Sequence, residues 1–371
     1  MSTSPIAPNA SGITHHAPRR NWLIPHTYLS LSRWEGLGTT LLNGLVILLL
    51  IIYLFPTIYM ISTAFMETIQ LSERNPPLYP ASRVFYTYEG EEYSLYNVPI
   101  GDEMRQLALV VPGRLASQFI DPQNPAAGLI DWDGSWRALT PVYRFHATWE
   151  NFQILFRSIP FTRYLGNTLL VALISEVAVL VSSIIVAYGF ARFPLPGGDL
   201  LFYVMIATIL IPEKVTLIPT YFFFVQVLDW NGSWLPILVP FFFGNAVYIF
   251  LLRQNFKSIP KDLEEAAVLD GAGPIRTLFS VVLPQCWPVI ITVFLLHFFY
   301  IWNETRQASL YLSTRRDLSP VSFGIQNFQS LTPIQNQLLA GALLVMLVPA
   351  LVLLFSQRIF MRDVIVTGVE K

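Results

Sequence analysis

The chain has 371 residues, of which 53% are apolar and 13% are charged, about half the charged share of an ordinary soluble domain. A soluble core cannot bury so large an apolar surface, whereas a lipid bilayer stabilises long apolar helices, so the composition predicts a polytopic membrane protein. The net charge of −1 argues against a nucleic-acid partner, and the single cysteine excludes an internal disulfide and a cysteine-rich metal site.

Six apolar stretches meet the rough requirement of 20 residues for a membrane-spanning helix. They run about Leu37–Phe65, Tyr164–Phe190, Leu200–Leu228, Trp234–Leu252, Trp287–Trp302 and Leu338–Phe355. The polar residues 1–36 are not a secretory signal, because the apolar run behind them is too long and lacks a cleavage site. The predicted fold is therefore an all-α polytopic bundle of six transmembrane helices, the first over residues 37–65.

The basic residues indicate how the six spans are oriented, since Lys and Arg accumulate in short cytoplasmic loops. The segments that fall on one side of the membrane contain Arg19, Arg20, Arg33, Arg192, Arg253, Lys257, Lys261, Arg276, Arg358, Arg362 and Lys371. Arg315 and Arg316 lie on the other side and are outnumbered. Both termini, including the polar tail 356–371, are therefore predicted to be cytoplasmic.

Residues 66–150 form a long polar segment between the first two spans and are predicted to lie outside the cytoplasm. Val84–Tyr88, the dipeptide Glu89-Gly90 and Tyr93–Val98 have the pattern of a β-hairpin. Gln106–Val111 alternates as a strand does. We expect a small β-containing insert, whose role is left open between a structural cap, a docking surface and a direct ligand-binding site.

Charged residues at membrane depth are costly and are therefore candidates for function. Glu176 lies near the centre of the second stretch, where it either lines a cavity or contacts a gate, or is hydrogen-bonded in the interior to Ser175, Ser182 or another helix.

Proline interrupts the third stretch. Pro212 and Pro219 are both expected to break the helix, and Glu213 and Lys214 lie between them. Broken membrane helices are tolerated beside protein or a cavity, and they build many transport sites. Glu213 and Lys214 are therefore pathway candidates; the alternative is an ion pair between the two near the outer interface.

The loop after the fourth stretch has the pattern of two short helices. Lys261–Leu269 contains good helix formers behind Pro260, and the run 270–273 ends that helix with glycines. Pro274 opens a second helix that Leu283-Pro284 closes. The first helix is short, acidic and partly apolar, which suits a projection that fits a cleft on another protein.

The same loop resembles the EAA loop of bacterial ABC-importer permeases. The matching residues are Glu265-Ala266-Ala267, Gly271, Val281 in place of the usual isoleucine, and Leu283-Pro284. The chain is also similar to the smaller permease subunit of maltose-type, carbohydrate-uptake transporters at Arg192-Phe193, Ile211-Pro212, Val215–Pro219, Leu251–Gln254, Trp302-Asn303-Glu304 and Gly368-Val369. The likeness covers residues 148–371 and the first span, whereas the β-rich insert departs from it.

The fifth stretch ends in an aromatic run followed by Trp302, Asn303 and Glu304. Aromatic faces stack on sugars, and amide and carboxylate groups hydrogen-bond to sugar hydroxyls, so these residues are candidates for a carbohydrate path. The alternative is an aromatic anchor at the membrane interface.

The resemblance implies a complete transport machine around this chain. Loop 253–285 of the permease core 151–371 would dock on a separate ATPase subunit. The docking residues would be Glu265, Ala266, Ala267, Asp270, Gly271, Leu283 and Pro284. The implied partners are a second, different permease subunit, two ATP-binding cassette ATPases and an extracytoplasmic substrate-binding protein, all at a bacterial inner membrane. Alternating access would import a sugar or another solute such as a glycerol phosphate derivative.

Nucleotide hydrolysis is not expected in this chain. It contains no Gly-x-x-x-x-Gly-Lys-Ser/Thr motif, so ATP would be bound by the partner subunits, and neither a cofactor nor a metal site is predicted. Two other classes of function stay open: an ATP-independent carrier or channel, and a membrane-anchored receptor or assembly factor that works through the insert.

Overall fold

The structure is a computed structural model that describes residues 33–73, 75–101, 103–331 and 334–367. The chain divides into two compact units, residues 1–56 and 57–371. Helix α1 (Arg33–Ala64) begins in the first unit and ends in the second, and every other described element belongs to the second. Most of the predicted N-terminal segment, and Gly368-Val369 of the predicted tail, lie outside the described residues.

The second unit is mostly helical. Its α-helices are α2 (Thr68–Leu71), α3 (Glu150–Ser158), α4 (Phe161–Arg192), α5 (Gly198–Thr208), α6 (Glu213–Phe222), α7 (Leu235–Leu238), α8 (Ala246–Ser258), α9 (Lys261–Leu269), α10 (Pro274–Thr277), α11 (Leu283–Gln285), α12 (Trp287–Trp302), α13 (Arg306–Tyr311), α14 (Val321–Leu331) and α15 (Gln335–Thr367). Wider π-helical turns extend α6 over Phe223–Val227 and join α10 to α11 over Leu278–Val282.

Four described segments are long and apolar enough to cross a membrane: Gly38–Ala64, Phe161–Arg192, Leu235–Ser258 and Gln335–Gln357. Two further segments are sharply bent pairs of helices. The first pair joins α5 to α6 with its extension at 93°, and the second joins Pro274–Gln285 to α12 at 83°. The described residues therefore hold four to six candidate spans, and the number reaches the predicted six if each bent pair is one span.

Only one of the two prolines predicted to break the third stretch does so. α5 ends at Thr208, and α6 begins after Pro212, whose backbone is extended. Pro219 lies inside α6, so the prediction of a second break is wrong. A proline removes one helical hydrogen bond and can bend a helix without ending it, whereas at the first helical turn it sets where the helix begins.

The fourth span is irregular at its centre. α7 runs into a 3₁₀ turn over Val239–Phe243, and Gly244 then adopts φ +81° before α8 begins. A side chain at Gly244 would approach Ile249 to 3.2 Å, so glycine suits both the backbone and the packing. The Oδ1 atom of Asn245 accepts from the amide of Val247 at 2.9 Å and caps α8.

The insert is a small antiparallel β domain, as predicted. Its strands are β1 (Ala81–Arg83), β2 (Phe85–Tyr88), β3 (Glu91–Ile100), β4 (Glu103–Val111), β5 (Ala116–Ile120), β6 (Leu129–Asp133), β7 (Thr140–Pro141) and β8 (Tyr143–Phe145). The predicted hairpin is confirmed: Tyr88 pairs with Glu91 across Glu89 and Gly90, both at positive φ as a two-residue hairpin turn requires.

The sheet order places the two ends of the insert together. One sheet runs β2-β3-β4-β5-β6 with β7 added to β3, around a core that includes Tyr96, Val98, Leu107 and Phe119. A separate two-stranded sheet pairs β1 with β8 and forms a neck through which the chain enters and leaves. The insert therefore follows the first helix as a self-contained module.

α4 is the central helix of the bundle and packs against α8, α12 and α14. Two apolar clusters lie along it, one including Phe161, Trp302 and Tyr311 and the other including Val179 and Leu252. These clusters fix both the short α12 and the loop that precedes it.

Candidate functional site

The predicted pair of helices in loop 253–285 is present. α9 runs from Lys261 to Leu269, and Gly271 adopts φ +80° directly after it. The amide of Gly271 donates to the carbonyl of Val268 at 2.9 Å, and the amide of Ala272 to that of Ala267 at 2.9 Å. This left-handed end turns the chain sharply before Pro274 begins the second helix.

The outer surface of α9 is exposed and mixes acidic and apolar groups. Glu265, Ala266, Asp270 and Gly271 are exposed, and the side chain of Leu269 is 89% exposed. Other large apolar side chains exposed on these two helices are Leu263, Val268, Ile275 and Phe279. Apolar groups clustered on a surface mark sites of interaction, so we name this surface, residues 261–279, the coupling knob.

A nearly buried ion pair fixes α9 to the end of α4. The Nε atom of Arg192 donates to Oε1 of Glu264 at 2.5 Å, and its Nη2 atom donates to the carbonyl of Ile259 at 3.1 Å. The two side chains are 8% and 13% exposed. The sequence analysis used Arg192 for topology and for the family resemblance, and it did not single out Glu264, which lies one position before the motif residue Glu265.

The predicted docking residues do not all lie on the knob. Leu283 and Pro284 come at the far end of the second helix, next to the 83° bend. Leu283 packs against the apolar cluster beside α4, while Pro284 is exposed. The motif thus combines an exposed tip with a base that is set into the bundle.

A second feature is a cavity of about 320 Å³ beside the break of the third stretch. Its polar and aromatic lining comes from Glu213, Thr216, Thr220, Phe224, Tyr300, Gln307 and Tyr311. The Nε2 atom of Gln307 donates to the hydroxyl of Tyr300 at 3.3 Å. Aromatic rings next to hydroxyl, amide and charged groups can bind a polyhydroxylated solute.

Glu213 lines this cavity and is paired differently from the alternative considered above. Its carboxylate accepts a hydrogen bond from the Nη2 atom of Arg306, whereas the alternative considered above paired it with Lys214. Lys214 is exposed. Arg306 is the first residue of α13, and its pairing with Glu213 places a positive charge next to that residue of the cavity lining.

The remaining pathway candidates lie elsewhere. Trp302 is 1% exposed and packs in the core, and Asn303 donates from Nδ2 to the carbonyl of Phe299 at 2.8 Å. Glu304 accepts from the amide of Gln307 at 2.8 Å and so orients the first turn of α13. The structure thus leaves Glu213 as the candidate that faces the cavity.

Glu176 is buried at 5% exposure, and neither carboxylate oxygen has a hydrogen-bond partner among the described residues. Ser175 donates to Ala172 and Ser182 to backbone carbonyls, so neither serine forms the hydrogen bond to Glu176 that one of the alternatives proposed. Instead, the Oγ atom of Ser175 lies 3.0 Å from Nε2 of His297.

Comparison with known proteins decides what this architecture is. Residues 166–366, more than half of the chain, match the family described as the binding-protein-dependent transport system inner membrane component. The chain belongs to this family. It is the multi-pass inner-membrane permease subunit of an ABC importer, and the resemblance seen in its coupling loop is confirmed.

Several curated relatives are permeases. The permease is 29% identical to the osmoprotective compounds uptake permease protein GgtD of Synechocystis sp., over 68% of this chain and 85% of the relative. It is 34% identical to the sn-glycerol-3-phosphate transport system permease protein UgpE of Pectobacterium atrosepticum, over 56% and 73%. It is 32% identical to the sulfoquinovosyl glycerol transport system permease protein SmoH of Agrobacterium fabrum, over 57% and 75%.

Among solved structures, a bacterial ABC transporter for import of the acidic polysaccharide alginate shares the fold. Its TM-score is 0.60 at 17% identity, covering 88% of the permease and 98% of the solved chain. The permease is not itself catalytic and carries no cofactor, because ATP is handled by the ATPase subunits of such an importer. As the description of the family states, import depends on a binding protein, which joins those subunits in the complex.

Sequence reasoning did not single out Tyr300, Gln307 and Tyr311, which line the cavity, or Arg306, which pairs with Glu213. Tyr300, Gln307 and Tyr311 are spaced by seven and four residues, which is the spacing of one helical face. The break between α12 and α13 hid this pattern, because the run from Asn303 to Thr305 interrupts the helix.

Proposed function

We propose that the permease crosses the membrane six times with both termini in the cytoplasm. In this arrangement α5 and α6 form one broken span and α12 forms another span, while Pro274–Gln285 belongs to the cytoplasmic loop 253–285. The coupling knob then lies on the cytoplasmic side, and the insert 66–150 lies outside. The distribution of Lys and Arg supports this orientation.

The coupling knob docks into a groove on an ATPase subunit. Its exposed tip supports this role, because Glu265, Asp270 and the apolar Leu269 are exposed on the surface of the isolated chain, where a partner can cover them. Ala266 and Ala267 keep the tip narrow, and Gly271 provides the turn. Leu283 and Pro284 support the base. When two ATPase subunits close on ATP, the knob transmits a rigid-body motion that opens the permease to the outside.

The imported solute is a sugar or a closely related polyhydroxylated compound, including glycerol phosphate derivatives. The relatives named for sn-glycerol-3-phosphate and for sulfoquinovosyl glycerol support this class. The 320 Å³ cavity supports it too, since Tyr300 and Gln307 offer a ring and an amide beside the Glu213–Arg306 pair. A second, different permease subunit completes the pathway.

Cross-linking through an introduced cysteine tests the docking role, which is inferred from the exposure of α9. The natural Cys286 is fully buried and does not interfere with labelling at exposed positions. Ala266→Cys, expressed with the remaining subunits, is expected to cross-link to a nucleotide-hydrolysing protein during active uptake. Ser309→Cys, an exposed position on α13, is the matched control and should not.

Equal capture at both positions would overturn the docking proposal. Uptake that persists without any ATPase would instead favour the ATP-independent carrier. Glu265→Lys should abolish uptake while the chain remains inserted in the membrane, because it reverses the charge of the knob without touching the bundle.

A further inference from the structure

The insert contains a cleft of about 830 Å³. It opens between α2, with the segment that follows it, and the strands β3 and β7. A volume of this size falls in the range of pockets that hold small ligands, roughly 300–1,000 Å³. The cleft lies outside the residues that match the permease family, so the transport machinery does not account for it.

Aromatic side chains form much of the wall. Tyr96 is buried and forms the floor, and its ring meets that of Trp136 edge to face at 6.1 Å. Trp136 and Tyr143 are partly exposed and line the opening. Flat, half-exposed rings of this kind can stack against the C–H faces of a pyranose.

One oxygen of a carboxylate on the cleft wall lacks a hydrogen-bond partner among the described residues. The Nε atom of Arg83 donates to Oε1 of Glu73 at 2.6 Å, which fixes the carboxylate in place. The side chain of Glu73 is only 8% exposed, and its Oε2 atom has no hydrogen-bond partner among the described residues. A buried acceptor without a donor is costly, and a small shift of the Glu73 side chain toward the cleft would let a ligand hydroxyl satisfy it.

The charge of the cleft favours an anion. The guanidinium of Arg137 lies 5.3 Å from the centroid of the Trp136 ring, and no described carboxylate lies within 4.0 Å of it. Arg83 is balanced by Glu73, so the described lining carries one uncompensated positive charge, that of Arg137. A guanidinium next to an aromatic ring presents paired N–H donors that match a carboxylate.

We propose that this cleft binds a short acidic saccharide. A sugar ring stacks on Trp136 and Tyr143, a hydroxyl donates to Glu73, and the acidic group of the sugar pairs with Arg137. The sequence left the insert open between a cap, a docking surface and a ligand-binding site, and the lining of this cleft selects the third. The proposal does not depend on the assigned transport activity.

Direct binding to the full chain, reconstituted in lipid nanodiscs without ATPase or binding protein, tests the site. Isothermal titration is carried out with trigalacturonate and with the neutral galactotriose. Trigalacturonate should bind, and Arg137→Gln should weaken its binding by about tenfold or more, the value of one charge-assisted hydrogen bond. The affinity of galactotriose should be lower and unchanged by that variant.

Two further variants keep the outcome clear. Arg105→Gln is the matched control, because Arg105 is an exposed arginine of the same insert that does not line the cleft. The Arg105→Gln variant should bind trigalacturonate with the affinity of the wild type. Glu73→Gln should weaken binding of both saccharides. No saturable binding of trigalacturonate at millimolar concentration would overturn the proposal, as would equal losses in Arg105→Gln and Arg137→Gln. Because no uptake is measured, failure here leaves the transport assignment untouched.

Discussion

The ion pair between Arg192 and Glu264 allows a quantitative test of how the coupling knob is positioned. Glu264→Gln keeps the shape of the side chain and removes its charge, leaving the nearly buried Arg192 guanidinium without a counter-charge. Breaking a buried pair from one side costs on the order of 3–5 kcal/mol, and the 13% exposure of Glu264 places this site toward the lower end. We expect a loss of about 3 kcal/mol in the free energy of unfolding.

A double-mutant cycle with Arg192→Gln isolates the interaction. The coupling free energy should be about 1.5–3 kcal/mol, because the donor and acceptor are both charged and little exposed. The assay is reversible unfolding of the purified permease in detergent, together with ATP hydrolysis by the assembled complex. Hydrolysis should continue while uptake falls, because a loosened knob no longer transmits motion.

Glu265→Gln is the matched control for this cycle. Glu265 is the next residue on the same helix, is exposed, and has no cation within 4.0 Å among the described residues. Its replacement should leave the stability of the isolated permease within about 0.5 kcal/mol of the wild type, as is usual for surface positions, while weakening contact with the ATPase. Additive effects of the two substitutions at Arg192 and Glu264 would refute the reasoning.

Other positions give further tests. Gly271→Val should destabilise the coupling knob by about 1–2 kcal/mol, because valine is strained at the φ of +80° that Gly271 adopts. Gly273→Val should cost less, because the φ of Gly273 is −77°. Hydrogen exchange of the α9 amides measures both effects, and equal effects would contradict the reasoning. The hydrogen bond from Arg315 lowers the pKa of Asp317 in the folded protein. The stability that the Asp317 carboxylate contributes is therefore present above its unfolded pKa of about 4 and is lost as the pH falls below that value. Melting curves of wild type and Asp317→Asn should therefore converge in acid, and a constant difference would contradict this. Asn151→Leu should cost about 2 kcal/mol of unfolding free energy, because its amide donates to two buried backbone carbonyls; an unchanged denaturant midpoint would count against it.

Local patterns were sufficient for the elements that are governed by local chemistry. The hairpin at Glu89-Gly90 and the helix over Lys261–Leu269 were both predictable, because turn glycines and proline at helix starts act within a few residues. Four of the six predicted spans follow from apolar length alone, whereas the third and the fifth lie in bent pairs of helices. Pro219 was misjudged, since its effect depends on which neighbours satisfy the freed backbone groups.

Contacts between distant segments were not predictable from one sequence. Glu213 pairs with Arg306, which is 93 residues away, rather than with its neighbour Lys214. Arg192 meets Glu264 across 72 residues. Both pairs depend on how the helices pack around α4, and the sequence contains no periodicity that links their members. The cleft of the insert arises in the same way, from strands and loops joined only by the tertiary fold.

The neck formed by β1 and β8 makes the insert exchangeable. Since Ala81 pairs with Phe145, both connections to the bundle leave from one point, and a short turn could bridge them. An importer of this kind could acquire or discard such an appendage through a single recombination event without rearranging its helices. Grafting the insert onto a relative that lacks it is therefore expected to yield a folded chimera. The chimera would carry the proposed saccharide cleft with it.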